Sequence, residues 1–213
     1  MADVRTINTG RYEFDIEVRQ RQVIGDGPRY SPLTPDEMSA EATELVREIR
    51  QMFNIPLDQH IPEVTLIQLR HTALFRAQMN LGIEVSGKSS LPPHDRELII
   101  MRVAWLTRTP FEWSEHVVIG KRFGLTSEEI EWIIDGSCAP GWAEHEAAVL
   151  RATEELLGDY CISDATWDIL AKSWSDKALM EMPLLVGHYV LTAFQANSLK
   201  VPLEPNKIGF RDR

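Results

Sequence analysis

The stretch ELIIMRVAWL, Glu97 to Leu106, most constrains the fold of this chain. Read as a helix it is apolar nearly all round: Ile100, Met101 and Ala104 share one face with Glu97, and Leu98, Ile99, Val103 and Trp105 fill the others. Such a helix has no face to offer water, so other elements must surround it. Those elements also read as helices. Thr34-Pro35-Asp36-Glu37 has the cap, proline and acid of a helix start, and the helix is expected to run to about Phe53. Pro62 opens a second helix, EVTLIQLRHTALFRAQMNLGI, with apolar residues three and four apart. Pro93 opens the third. Thr109-Pro110-Phe111-Glu112 reads as a capping box for the fourth, which Gly124 ends, and Thr126 to Glu129 as one for the fifth, with Leu125 and Ile130 as its hydrophobic staple. A sixth helix is expected from about Ala143 to Leu157, a seventh after Ser163 or Asp164, and a last from about Asp176 to Asn197. No hairpin signal or sustained alternation appears, so the fold class is all-α.

With 213 residues the chain suits one domain over 34–213. Residues 1–33 read as an irregular N-terminal arm, broken by Gly25, Gly27 and Pro28 and able to lie on the domain or on a neighbouring subunit. The net charge of −10 argues against a nucleic-acid partner, which would demand clustered Lys and Arg. Cys138 and Cys161 form no CxxC and no metal spacing; neither has a neighbouring base, so no disulfide framework, structural zinc or reactive thiol is expected. The opening MADVRTINTGRYEFDIEVRQ holds no apolar signal core, and no run reaches the ~18 apolar residues of a membrane span. A cytoplasmic protein with no membrane partner is the expectation.

Three residues carry the candidate chemistry. Glu97 is a carboxylate in apolar surroundings, where desolvation suits it to exchange protons near neutrality. Its bland reading is a partner of the helix dipole, paired with His94 or Arg102. Glu112 and His116 stand four apart on one helical face, so the carboxylate can orient the imidazole. Against this, Glu112 is the third residue of the Thr109 capping box, and His116 can be a satisfied helix histidine. As substrate-binding candidates stand Trp113, His71 in mid-helix, the His188–Tyr189 pair on a largely apolar helix, and Arg102 as a cation for a carboxylate, beside Arg70 and Arg76. Trp105, Trp113 and Phe111 equally suit a core. His60 and His145 have no supporting context. No HxxxH or HExxH spacing supports a metal, and neither metal nor cofactor is expected.

At these residues the chain resembles the carboxymuconolactone decarboxylase family, which includes the AhpD-like alkylhydroperoxidases. The likeness runs from about Leu57 to Leu203, through LPPHDRELIIMRVAWL, EWSEHVVIGKRFGLTSEEI, ISDATWDIL and VGHYVLTAFQANS, in the pattern of the decarboxylase-like branch. It implies an AhpD-like helical bundle that assembles into trimers or hexamers. The peroxidase branch carries a glutamate, a CxxC pair and a histidine four residues after the second cysteine. Laid on His116, the glutamate falls on Glu97, the second cysteine on Glu112 and the first on Thr109. The resemblance thus supports Glu97 and His116, and argues against thiol peroxidase activity, because neither Thr109 nor Glu112 can attack or resolve as a thiolate. It implies a cofactor-independent lyase acting on a small lactone or ring-derived carboxylate of aromatic catabolism. In that reading His116 donates a proton or stabilises an oxyanion, Glu97 is the base or orients His116, and Glu112 completes a relay. A ligand-binding oligomer without catalysis and a metal enzyme using His116 with a second histidine are the other readings.

Overall fold

The computed structural model describes residues 14–52, 55–57 and 59–213, and among these there are helices and no strand. In chain order they are α1 (Ile16–Ile24), α2 (Ala40–Met52), α3 (Glu63–Gln68), α4 (Thr72–Gly82), α5 (Pro93–Leu106), α6 (Pro110–Arg122), α7 (Ser127–Asp135), α8 (Glu144–Gly158), α9 (Asp164–Leu170) and α10 (Asp176–Leu199). The bundle is all-α, as the sequence reading has it.

Helix α5 is the axis. It packs against α6, α7, α8 and α10, and its residues from Leu98 to Ala104 are wholly buried. At about 1.5–3 kcal/mol for each large apolar side chain removed from water, this one helix supplies much of the hydrophobic stabilisation. A second, smaller core of Leu33, Ala42, Leu45, Ile49 and Leu69 joins α2 to the α3–α4 segment. The C-terminal segment closes the main core: Phe210 is fully buried, with its ring against Trp105 and Phe14.

Two expected helices are each broken once, and both breaks have local causes. The Thr34 capping box forms, but it caps only a 3-10 turn, Pro35–Glu37. Met38 is extended, and Ser39 then caps α2 through its hydroxyl, which accepts from the Ala42 N–H at 3.1 Å. The long helix expected after Pro62 breaks at His71, whose backbone leaves the helical region and whose Nδ1 accepts from the Leu74 N–H at the start of α4. Beyond Gly82 the chain makes one turn of π-helix, Ile83–Gly87. In the segment read as an irregular arm, α1 is regular: Asp15 caps it and Gly25, at φ 59°, ends it. It lies on the domain, where Arg19 donates to the Arg108 carbonyl and Gln20 to that of Ile208. Residues 1–13 of that arm, and Phe53 at the expected end of the first helix, lie outside the described residues.

Arg102 corrects one expectation. It is fully buried, and its guanidinium is committed to Glu154 (Nε–Oε1 2.9 Å) and to the carbonyls of Ile133 and Ile134. Glu154 also accepts from the Ser137 N–H and hydroxyl. Gly136, at φ 83°, passes so close that a Cβ there would stand 2.3 Å from Arg102 Nη2. This is a structural ion pair joining α5 to α8 and to the end of α7, not a clamp for substrate. Removing one partner of such a pair strands the other charge in the core. Arg102→Ala is therefore expected to cost about 3–5 kcal/mol in chemical denaturation. A loss under about 1 kcal/mol, the range of a surface pair, would show that the pair is not structural.

Candidate active site

The site is built where α5, α6 and α10 meet the π-turn. Pro93 starts α5, and one turn on Glu97 points at α6 with about 1% of its surface exposed. Its Oε2 lies 2.8 Å from His116 Nδ1. Its Oε1 accepts from Arg96 Nε and Nη2 at 3.2 and 3.1 Å. The partners are thus Arg96 and His116, not the His94 or Arg102 of the bland reading. Arg96 is held in turn by the Ser86 carbonyl and by the ring of Phe123, 4.8 Å from its guanidinium carbon. A carboxylate on Nδ1 sets the tautomer and orientation of an imidazole and leaves Nε2 as the working nitrogen. His116 Nε2 has no hydrogen-bond partner among the described residues.

Tyr189 of α10 stands edge-on to His116 with ring centroids 5.1 Å apart. Its hydroxyl lies 3.3 Å from the Ser86 hydroxyl on the π-turn. Burial raises its pKa above the ordinary tyrosine value, and the nearby Glu112 and Glu97 add to the rise. Next along α10, His188 meets Tyr189 edge-on at 5.4 Å and lies against Gly82. Its Nδ1 is sealed without a partner, and burial lowers its pKa.

Glu112 departs most from the bland reading. The Thr109 side chain makes no cap hydrogen bond to α6; its hydroxyl meets the Thr107 hydroxyl and accepts from the Asn197 side-chain amide instead. Glu112 is buried, and neither carboxyl oxygen has a hydrogen-bond partner. Burial alone pushes its pKa well above the usual carboxylate range. An unpaired buried carboxyl keeps its proton, because neutralising is cheaper than holding an uncompensated charge. The site therefore has two carboxyls in opposite settings. Glu97 lies between a guanidinium and an imidazole, and Glu112 is a neutral acid.

Other expected residues lie elsewhere. Trp113 is fully buried among Trp105, Phe210 and the Arg213 guanidinium, and its Nε1 donates to the Asp212 carbonyl, so it is core rather than substrate wall. His71 is exposed and lines a separate cleft of about 450 Å³ with Tyr30 and Phe75. Arg70 is held by the Ser31 carbonyl and Arg76 by Glu48, so neither candidate cation reaches this site. Sequence reasoning missed Arg96 and Ser86, which show no signal beyond their nearness to Glu97 and to Gly87. It also passed over His145. Its Nε2 lies 2.8 Å from Asp95 Oδ2, which also accepts from Trp174 Nε1, and its Nδ1 lies 3.1 Å from the Ser173 hydroxyl. Burial alone would push Asp95 up, but hydrogen bonds from His145, His94 and Trp174 outweigh it and hold its pKa far below the usual range. Among the described residues, no three His, Cys, Asp or Glu side chains form a metal-binding group, and no helix is long and apolar enough to cross a membrane.

Solved structures of the same fold are distant in sequence. An alkylhydroperoxidase AhpD core from Ralstonia eutropha JMP134, an uncharacterized peroxidase-related protein, superposes with a TM-score of 0.70 at 13% identity, over 84% of this chain and 93% of its own. The debrominase Bmp8, as a cysteine-to-alanine variant in complex with 2,3,4-tribromopyrrole, gives 0.65 at 14% identity, over 84% and 94%. A protein of unknown function from Agrobacterium tumefaciens gives 0.59 at 19% identity, over 64% and 94%. These likenesses establish the AhpD-like fold. Among curated proteins there is no match. Residues 72–155, which contain α4, α5, α6, α7 and most of α8, match the model described as the carboxymuconolactone decarboxylase family. Over that segment the chain is similar to the carboxymuconolactone decarboxylase family, and around it the fold is AhpD-like.

Proposed function

We propose that the chain is a cofactor-independent acid/base enzyme of the decarboxylase-like kind, acting on a small lactone or ring-derived carboxylate. The observation that carries this reading is the split between the two carboxyls beside one imidazole. A buried acid without a partner, one turn from an imidazole held by a second carboxylate, is an arrangement suited to passing a proton. His116, oriented through Nδ1 by Glu97, presents Nε2 to the reacting carbon or its oxygen. Glu97 keeps His116 in place, while Arg96, itself held by the Ser86 carbonyl, holds Glu97. Glu112, on the same face of α6 and one turn before His116, supplies a proton from its neutral form. Loss of carbon dioxide leaves an electron pair on carbon, and a proton from His116 Nε2 quenches it. Tyr189 and His188 form the wall beside the imidazole. The debrominase of the same fold was crystallised with a halogenated pyrrole; for the present chain that favours a small unsaturated ring over a large ligand. A thiol peroxidase is disfavoured, since Thr109 and Glu112 stand where thiols would be needed and Cys138 and Cys161 are exposed, outside this cluster.

The direct test is NMR-detected proton exchange and decarboxylation of a panel of lactone and keto acids in deuterated buffer. Wild type is expected to turn over at least one compound. Glu97→Gln and His116→Ala are expected to lose about 10²–10⁴-fold in rate, the range of positioned acid/base groups. Folded variants that keep full turnover would remove both residues from the mechanism.

The neutral Glu112 has a separate signature in stability. Its folded pKa is raised, so the folded state holds a proton that the unfolded chain releases as pH rises above the ordinary glutamate value. Stability should therefore fall with rising pH over that window, up to the folded pKa. Thermal melts from pH 5 to 8 are expected to show a smaller decline for Glu112→Gln than for wild type. Parallel curves would mean that Glu112 is not held neutral.

We also assign the chain to a homo-oligomer. Met180, Leu184 and Leu191 are large, exposed and set four and seven apart, which puts them on one side of α10. Sedimentation of wild type is expected to give a multiple of 24.3 kDa, and Leu184→Asp to shift it toward that monomer mass. A monomeric wild type would refute the assignment.

A further inference from the structure

Where the end of α10 meets the segment after α1, a cleft of about 410 Å³ is lined by Arg19, Val23, Arg29, Phe194, Asn197 and Lys200 with their neighbours. The lining holds these three cations and no acid. Acids outnumber Lys and Arg in this chain by 32 to 22, so the imbalance is not forced by composition. Arg19 is fixed by the Arg108 carbonyl at 3.1 Å and by Gln22 at 3.0 Å. Partial burial, and then the charge of Arg108, lower its pKa, as expected where positive potential gathers. Arg29 is fixed through its backbone, whose N–H donates to the Leu199 carbonyl, so its side chain starts beside the last turn of α10. Lys200 takes the left-handed conformation at φ 56°, a place usually left to glycine, and its ammonium lies over Gly25. Among the described residues, no carboxylate stands within ion-pair distance of Arg29 or Lys200. Asp26 and Glu63 line the neighbouring cleft, which shares both cations, yet neither closes on them.

Cations held together without a counter-charge repel one another, and a bound anion relieves that repulsion. The apolar side of the cleft, from Val23, Ala193 and Phe194, suits more than a bare ion. Phe194 is 67% exposed although it adjoins buried Ala193. We propose that this cleft binds a small organic carboxylate, with its acid group on Arg29 and Lys200 and its apolar body against Phe194. The site is distinct from the Glu97–His116 cluster. None of its lining residues belongs to that cluster.

Benzoate titrated calorimetrically at low salt is the test, with benzamide as the neutral control. Benzoate is expected to bind saturably and benzamide not to. The affinity should fall with added salt and drop about tenfold or more in the Arg29→Gln/Lys200→Gln double variant, since charge-assisted hydrogen bonds carry about that much. Both side chains are at least partly exposed, so the fold should survive, checked by circular dichroism. The benzoate binding that the double variant loses should persist in His116→Ala, which separates this site from the catalytic reading. Equal binding of benzamide, unchanged affinity in the double variant, or loss of binding in His116→Ala alone would each overturn the proposal. Binding of inorganic phosphate without benzoate would overturn the organic part of it.

Discussion

The rest of the structure depends on the burial of α5 on every side. A helix enclosed in this way can send no polar side chain to water, so each one it carries must find an internal partner. Asp95, Glu97 and Arg102 are all buried on α5. Asp95 is met by His145 from α8 and by Trp174, Glu97 by His116 from α6, and Arg102 by Glu154 from α8. These pairings fix how the neighbouring helices are rotated and displaced along the axis. The candidate site is one of the three, and the other two hold the frame that positions it.

Within that frame the chemical asymmetry comes from small differences in surroundings. Glu97 and Glu112 are the same residue type at similar depth. Glu97 has a neighbour in sequence, Arg96, able to fold onto it, and a histidine across the helix pair. Glu112 follows Pro110 and Phe111, which offer no cation, and the threonine before them is engaged with Thr107 and Asn197. Withholding partners is enough to turn the second carboxyl into a neutral acid.

The helical content and most helix starts were legible in the sequence, whereas spacing alone set Glu112 on His116 and only the resemblance pointed to Glu97, which is the carboxylate found there. Proline, cap residue and apolar period are local signals, and Thr126 with Glu129 formed the capping box its spacing implies. The same pattern at Thr109 misled, because a capping box competes with tertiary contacts that spacing cannot display. Asn197, 88 residues away, takes the Thr109 hydroxyl. Arg102 misled for a related reason. An arginine on an apolar helix reads equally as a clamp or as half of an ion pair, and Glu154 lies 52 residues off. The break at His71 was hidden because its apolar period continues on both sides while the backbone changes direction.

The π-turn at Ile83–Gly87 ties the site to chain length. A π-turn fits one more residue into a helical turn than the α form does. Its residue Ser86 reaches two ways, by its hydroxyl to Tyr189 and by its carbonyl to Arg96. Each residue advances an α-helix by about 100°. Losing one position here would regularise the helix and swing Ser86 away from both partners at once. The orientation of His116, several contacts distant, is therefore coupled to the number of residues in this one turn.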